Sequence, residues 1–292
     1  MMMKILQMEN KHFDAVARID QVAFGRGEAR RGDNLEALLS SDPEGCFVLE
    51  VNSQVIGFIF TKVMGEEGYF GPVAVLPEYQ RDGFGKVLIA RSLEYLKAHC
   101  KVIGLEVFPE LGQNVGLYHK LGFGSGFPSL RFELLENLDR IGNFKGLQMS
   151  MLTFAEQVEI DNELGQWTEG CFGGVCYSKD LQTALKSGGH VVIAYKDDEP
   201  AGFLADSPVL LPYLWGVARD EQVMEALLRE IRHARKGERL LIEVNARYRN
   251  LVELLGKMGC TVIRSVNRML LAGYEGDYLK ESSQMSMRAW IG

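Results

Sequence analysis

The 292-residue sequence has few cysteines, few prolines, no long apolar run and no excess of positive charge, and each absence excludes a class of protein. No segment approaches the roughly 18 apolar residues of a membrane span, and the N-terminus turns polar too early for a signal peptide. The five cysteines are odd in number and show no metal-ligand spacing, so we expect no disulfide framework and a reducing cytoplasm. The net charge of −7, without Lys and Arg interleaved with aromatics, argues against a nucleic-acid partner.

The residues that are present are typical of folded globular domains. Apolar residues make up 47% of the chain and charged residues 24%, with only 8 prolines. The length exceeds that of one small core, so two domains of about 140 residues are expected. The acidic balance mildly favours cationic acceptors such as amines.

The second half of the sequence repeats features of the first half in the same order. Leu6-Gln7-Met8 recurs 141 residues later as Leu147-Gln148-Met149. Further pairs follow with a drifting offset: Gly57-Phe58 and Gly202-Phe203, Val75 and Val217, Leu105-Glu106-Val107 and Ile242-Glu243-Val244, and Lys120-Leu121-Gly122 and Lys257-Met258-Gly259. This order predicts an internal duplication. We expect domains at 1–136 and 148–292, joined by a linker at 136–147.

Hydrophobic periodicity predicts that each half is a mixed α/β unit, with a mostly antiparallel sheet flanked by helices. In the first half we predict strands at 3–8, 46–52, 54–64, up to about 76, 102–108 and 129–135, and helices at 12–24, 34–41, 83–99 and 114–121. In the second half we predict strands at 190–196, 200–205, 239–244 and 261–271, and helices at 180–187, 220–235 and 250–258. The pattern of the tail after Gly273 predicts no particular element.

One segment of the first half has the pattern of an anion-binding loop. In Val73-Ala74-Val75-Leu76-Pro77-Glu78-Tyr79-Gln80-Arg81-Asp82-Gly83-Phe84-Gly85-Lys86 a strand runs through a tight turn into a helix. The first N–H groups of a helix have no intrahelical partner and carry the positive end of its dipole. Gly83 and Gly85 permit close approach to a phosphate oxygen, while Arg81 and Lys86 add positive charge. The glycine spacing fits neither a Walker A loop nor a dinucleotide fold.

The pattern Gln/Arg-x-x-Gly-x-Gly/Ala after Val-Ala-Val-x-Pro-Glu resembles the acetyl-CoA loop of the GNAT superfamily of N-acetyltransferases. The later segment Leu117-Tyr118-His119-Lys120-Leu121-Gly122-Phe123 fits the same family, so the resemblance covers the whole first half. It implies acetyl-CoA as cosubstrate. It also implies that the backbone of Val73 and Val75, with Ala74 between them, meets pantetheine and that Gln80 and residues 81–86 hold the pyrophosphate.

Two residues follow from this resemblance as catalytic candidates. Tyr118 occupies the family's acid position, where its phenol would protonate the departing thiolate. The alternative is an ordinary amphipathic tyrosine. Glu106 matches the base-to-acid spacing of ribosomal-protein N-terminal acetyltransferases, and an apolar strand could raise its pKa toward neutrality. Because Glu243 repeats it, a structural role is equally open; Glu28, Glu66 and Glu67 are reserve candidates.

One position departs from the family pattern. The family often has Asn seven residues before the Tyr, contacting the pantetheine arm, and this sequence has Leu111 there. Asn114 is the nearest substitute as a cofactor contact. Alternatively, it caps the helix that begins there.

The second half lacks the loop. With Val217 aligned to Val75, about five residues are missing, and Asp220 and Glu221 at the helix start would repel a diphosphate. Leu255 replaces Tyr118. The second half therefore resembles a degenerate GNAT unit that lines the acceptor pocket, packs between domains or dimerises.

The expected reaction is transfer of an acetyl group to a primary amine by direct attack on the thioester. The alternative is a non-catalytic acyl-CoA-binding or scaffold protein. The acceptor stays open between a small-molecule amine and a peptide, because the segment 24–31 mixes both charges. No metal site is expected.

Overall fold

The computed structural model describes residues 2–136, 138, 144, 146–152, 160–172, 174–209 and 211–290. Two compact units are present. Unit 1 comprises Met1–Leu105 and Trp290–Gly292, and unit 2 comprises Glu106–Ala289. Most of the linker predicted at 136–147 lies outside the described residues. The division of the sequence into domains at 1–136 and 148–292 stays a prediction.

Unit 1 is built on a five-strand sheet. Its order is β1 (Met3–Gln7), β2 (Phe47–Val51), β3 (Gln54–Met64), β4 (Glu67–Val75) and β5 (Val102–Val107). The last two residues of β5 belong to unit 2. The first four strands are antiparallel, and β5 is parallel to β4. The register of β4 and β5 joins Glu67–Tyr69 to Val102–Gly104 and goes no further in the described residues. The remainder of β4 therefore has an open edge on that side.

Three helices flank this sheet: α1 (Phe13–Phe24), α2 (Gly32–Ser41) and α3 (Phe84–His99). α3 buries Leu88, Ile89 and Leu96. It lies so close to β3 that a Cβ on Gly57 would be 3.1 Å from Leu88 Cδ1 and 2.9 Å from the Ala74 carbonyl oxygen. Glycine at 57 thus sets how closely α3, and with it the loop before α3, approaches the sheet.

Unit 2 contains five helices among its described residues: α4 (Gly112–Lys120), α5 (Ile160–Cys171), α6 (Ser178–Lys186), α7 (Glu221–Ala234) and α8 (Arg249–Lys257). Its strands are β6 (Phe123–Ser125), β7 (Ser129–Leu134), β8 (Leu147–Leu152), β9 (Val191–Lys196), β10 (Glu199–Ser207), β11 (Leu211–Ala218), β12 (Leu240–Asn245), β13 (Thr261–Leu271) and β14 (Met285–Met287). The sheet order is β8-β9-β10-β11-β12-β7-β13, with β6 paired to β13 and β14 paired to β11.

β7 comes from the first half of the sequence but lies between two strands of the second half. It is antiparallel to both β12 and β13. Apolar residues of β7 join the core of this unit, since Phe132 and Leu134 belong to the same buried cluster as Leu227 of α7 and Leu255 of α8. The halves of the sequence and the compact units are therefore not the same division of the chain.

The strands β8 to β12 have the same order and pairing directions as β1 to β5. Gly202 repeats the role of Gly57, since a Cβ there would lie 2.9 Å from Val223 Cγ1 of α7. Gly57 pairs with Val75, and Gly202 pairs with Ala218. The predicted match of Val217 with Val75 is therefore wrong by one residue. Such a slip matters because it exchanges the two edges of a strand.

The predicted mixed α/β fold, with a mostly antiparallel sheet flanked by helices, is confirmed. The predicted helices and strands fall within two residues of the observed ones at nearly every end. Among the described helices and strands, β6, β8, β11, α5 and the tail strand β14 have no counterpart in the predicted ranges. In the described part of the chain, no helix combines the length and apolar character needed to cross a bilayer.

Candidate active site

Of the three β4 residues predicted to contact the cofactor, two present their backbone groups at the open edge of the strand. Leu76 N–H donates to the Ile56 carbonyl at 2.8 Å, toward β3. Because backbone direction alternates along a strand, Ala74 also faces β3, while Val73 and Val75 face the open edge. The Val75 carbonyl accepts from Gln80 Nε2 at 2.9 Å. The amides of Val73 and Val75 can thus pair with an extended ligand.

The turn after β4 exposes the N-terminus of α3. Gly83 is the residue before the helix and has φ 89°, a left-handed conformation that favours glycine. Among the described residues, the N–H groups of Gly83, Phe84 and Gly85 have no hydrogen-bond partner, and no side chain caps the helix. A Cβ on Gly83 would meet nothing within 4 Å. These N–H groups carry the positive end of the helix dipole and suit a phosphate.

Charged side chains of the same turn remain exposed. Arg81, Asp82 and Lys86 take part in none of the ion pairs formed by the described residues. Phe84 is buried and packs edge-on against Tyr79, with ring centroids 6.2 Å apart. The aromatic contact anchors the start of α3, while the two cations stay accessible to an anion.

The corresponding helix in unit 2 begins differently. The Asp220 carboxylate accepts a hydrogen bond from Val223 N–H at 2.9 Å and so caps α7. α7 begins three residues after Ala218, whereas α3 begins nine residues after Val75. The shortening is six residues rather than the expected five. The N-terminus of α7 therefore carries a carboxylate, whereas the N-terminus of α3 is open.

Tyr118 lies in α4 of unit 2 and is buried, with its ring packed edge-on against Phe123 at a centroid distance of 6.1 Å. Burial raises the pKa of the Tyr118 phenol to about 12. The phenol therefore keeps its proton at neutral pH, as a general acid must. Its catalytic role stays a prediction.

The Glu106 carboxylate is completely buried in unit 2 and paired with Arg268. Oε1 accepts from Arg268 Nη2 at 2.7 Å, from Arg268 Nε at 2.9 Å and from Ser129 Oγ at 2.5 Å. Burial by itself would raise the pKa of Glu106, but Arg268, Glu243 and Ser129 outweigh it and hold this pKa below its ordinary value. The expectation of a raised pKa is thus wrong, because the apolar strand gave no sign of the arginine.

A second buried pair mirrors this one. Arg131 Nε donates to Glu243 Oε2 at 2.5 Å. Each pair joins a residue of the first half of the sequence to a residue of the second half. The two glutamates, Glu106 and Glu243, are 137 positions apart, and the two arginines, Arg131 and Arg268, are also 137 positions apart. Burial and the adjacent Glu106 raise the pKa of Glu243 well above its ordinary value. The equal spacing was the sequence signal that could have identified Arg268.

The remaining candidates divide by exposure. Asn114 is exposed in the first turn of α4, whose capping position is Leu111, so the alternative that Asn114 caps this helix is wrong. Glu66 pairs with Lys101, and Glu67 is buried. Glu28 is exposed.

The segment 24–31 has less free positive charge than its sequence suggests. Arg26 and Arg30 converge on the fully buried Asp20, at 2.7 and 3.3 Å. Asp20 lies in α1, outside the segment, so the charges counted within residues 24–31 did not include it. The two guanidiniums are therefore engaged within unit 1.

In a comparison with known protein families, residues 13–123 match the acetyltransferase (GNAT) family. This stretch is a GNAT acetyltransferase domain. It contains β4, the turn, α3, Glu106 and Tyr118.

Two acetyltransferases are among the relatives that match a segment of this chain. A mycothiol acetyltransferase of Streptomyces griseus is 38% identical over 85 residues, which are 28% of this chain and 28% of the relative. A ribosomal protein bS18-alanine N-acetyltransferase of Haemophilus influenzae is 37% identical over 73 residues, 25% of this chain and 49% of the relative. The chain thus spans half or less of these relatives' length.

A solved structure resembles nearly the whole chain. It is a putative acetyltransferase from Pyrococcus horikoshii, with a TM-score of 0.75, 20% identity, and coverage of 99% of this chain and 95% of that one. At this identity the likeness shows a shared fold. That fold extends beyond the GNAT domain to the second half.

Proposed function

We propose that this chain is an acetyl-CoA-dependent N-acetyltransferase that acetylates a primary amine of a small molecule or peptide. The observation that carries the proposal is the contrast between two helix starts. The N-terminus of α3 is open and flanked by Arg81 and Lys86, whereas that of α7 is capped by Asp220. Only the first is suited to the diphosphate of coenzyme A.

Donor binding would use both parts of the first site. The pantetheine arm carries amides in an extended chain, which the outward-facing backbone of Val73 and Val75 complements. The diphosphate would lie on the N–H groups of Gly83 and Gly85. Gln80, which bonds the Val75 carbonyl, links the strand to the turn and would hold the two parts of the ligand site in register.

In the transfer, the neutral amine attacks the thioester carbonyl, the carbon–sulfur bond breaks and the sulfur leaves with the electron pair. Tyr118 would protonate this thiolate, and the raised pKa of its phenol ensures that the proton is present. The attacking nitrogen loses its extra proton to a base other than Glu106. With a lowered pKa and an arginine partner, Glu106 is a weak base, and we assign it a structural role.

We further propose that the second half is a degenerate copy of the first. The matching order of β1 to β5 and β8 to β12, the paired glycines 57 and 202, and the capped α7 support this duplication. Leu255, completely buried in the apolar core, takes the position of Tyr118. At these described positions, neither the open helix start nor the tyrosine of the first half is retained.

The names of the two relatives indicate acceptors of different kinds, mycothiol chemistry in one and an alanine of a ribosomal protein in the other. The test is therefore a panel. Thiol release from acetyl-CoA is measured with the full chain and amino acids, polyamines, amino sugars and short peptides, and products are identified by mass. An N-acetylated product supports the proposal. Saturable binding of acetyl-CoA without thiol release or product across the panel would favour the non-catalytic acyl-CoA-binding protein.

A further inference from the structure

The tail strand β14 lies on the edge of β11 that faces away from β10. Arg219 N–H donates to the Ala201 carbonyl at 2.8 Å, toward β10. By alternation Val217 also faces β10, while Gly216 and Ala218 face the other way. There they meet the tail, in the register Gly216 to Met287 and Ala218 to Met285.

This edge is the counterpart of the proposed donor edge in unit 1. Gly57 pairs with Val75 as Gly202 pairs with Ala218, so Ala218 corresponds to Val75 and Gly216 to Val73. β11 leaves its parallel neighbour β12 after Leu214, as β4 leaves β5 after Tyr69. β14 joins β11 from Gly216 onward, beyond the point of divergence.

We propose that the C-terminal strand Met285–Met287 occupies in the second half the strand edge that the pantetheine arm occupies in the first half. The inference rests on the proposed function, because that function assigns pantetheine to Val73 and Val75. An extended peptide, like the pantetheine arm, carries amide donors and acceptors along an extended chain. The second half is thus a copy of the donor site filled by the chain's own tail.

The packing of β14 fits a permanent occupant. Met285 is 2% exposed and Met287 is 0% exposed, and both belong to the apolar core with residues of α7 and α8. Ser286 hydrogen-bonds to Tyr177, whose ring stacks on Trp215 with centroids 5.8 Å apart. Side chains on both faces of the short strand are therefore fixed.

The occupant also contacts the buried ion pair. Arg268 Nη2 donates to the carbonyl of Arg288, the residue after β14, at 2.8 Å, and the same nitrogen donates to Glu106. Arg268 is thus held by the tail on one side and by Glu106 on the other. The tail that fills the second site therefore helps to position Arg268 and, through it, Glu106 of the GNAT domain, all within unit 2.

The test is residue-resolved amide hydrogen exchange on the full chain. In the parent, Gly216, Val217 and Ala218 should all exchange slowly. Met287→Pro removes the N–H that faces β11, and it should speed exchange of Gly216 and Ala218 at least tenfold while Val217, bonded to β10, stays slow. Met287→Leu keeps the N–H and the apolar bulk and should leave all three unchanged. Unchanged exchange at Gly216 and Ala218 in Met287→Pro overturns the inference.

A measurement on the parent chain covers the case in which Met287→Pro does not fold. Saturating acetyl-CoA should slow exchange of Val73 and Val75 and leave Gly216 and Ala218, already slow, unaffected. Fast exchange of Gly216 and Ala218 without ligand, or slowing of them by acetyl-CoA, refutes a self-filled site. If instead they are slow and unaffected while Val73 and Val75 do not respond, the donor-site proposal fails, while the register of β14 stands.

Discussion

Two substitutions of Gly85, to alanine and to valine, test the donor site by separating an effect on stability from an effect on acetyl-CoA affinity. It is the second residue of α3, and its φ lies outside the left-handed region. A Cβ there would have one neighbour, Val75 Cγ2, at 4.0 Å. The fold therefore accepts alanine at this position without strain, and any need for a small residue comes from a ligand.

Gly85→Ala should stabilise the free protein by about 0.5–1 kcal/mol, the usual gain of alanine over glycine in a helix. For a chain of this size that raises Tm by roughly 1–4 °C. The loop pattern admits alanine at this position, so the Kd of Gly85→Ala for acetyl-CoA should stay close to that of the parent. The branched side chain of Gly85→Val would hold the diphosphate away from the first N–H groups of α3. Loss of one hydrogen bond to a charged group, about 1.5–3 kcal/mol, would weaken acetyl-CoA binding by about tenfold to 100-fold.

The matched control is Gly256→Ala. Gly256 lies in α8, is exposed, and has no neighbour within 4 Å of a Cβ. Its replacement should raise Tm similarly and leave the Kd for acetyl-CoA unchanged. Differential scanning calorimetry and isothermal titration give the two numbers. A Gly85→Val protein that binds acetyl-CoA like the parent would refute the assignment of the phosphate site to the start of α3.

Three further substitutions test the remaining assignments. Tyr118→Phe should lower kcat about 10²-fold with little change in the Kd for acetyl-CoA, measured by thiol release; an unchanged kcat shows that another group protonates the thiolate. Glu106→Gln should destabilise the chain by about 3–5 kcal/mol because Arg268 loses its partner, while the pH–rate profile of the folded variant keeps its shape. Since the pKa of Glu106 is lowered on folding, its contribution is present above the ordinary carboxyl pKa and fades as pH falls through the folded value. Urea unfolding near neutral pH and under acid should thus show the deficit shrinking with pH, and a constant deficit contradicts the ion-pair assignment. Asp220→Ala should cost about 1 kcal/mol of stability and create no second acetyl-CoA site.

The fold was predictable in outline because it depends on patterns that are local in sequence. Hydrophobic period and turn residues were enough to predict α3 from apolar residues at helical spacing and β3 from its hairpin with β2. The turn between β4 and α3 was predictable for the same reason. The function proposed for this turn depends on backbone N–H groups and glycines of one short segment.

Long-range pairing was not predictable from such patterns. Nothing near Glu106 indicates that its partner is Arg268, 162 residues later, and the apolar neighbours suggested a raised pKa instead of a lowered one. The tail strand β14 has three residues, too few for any periodicity, and its pairing is defined by the open edge of β11. The alignment of Val217 with Val75 slipped because the loop that follows is six residues shorter, and the sheet register corrects it.

The central claim is that one half of this chain holds the acyl donor and the other half cannot. Isothermal titration of the full chain with acetyl-CoA tests it most directly. We predict a single saturable site per chain, with stabilisation of about 2.7 kcal/mol when free acetyl-CoA reaches about 100 times its Kd. Two equivalent sites per chain would contradict the closed second site, and no binding at all would contradict the donor site at β4 and α3.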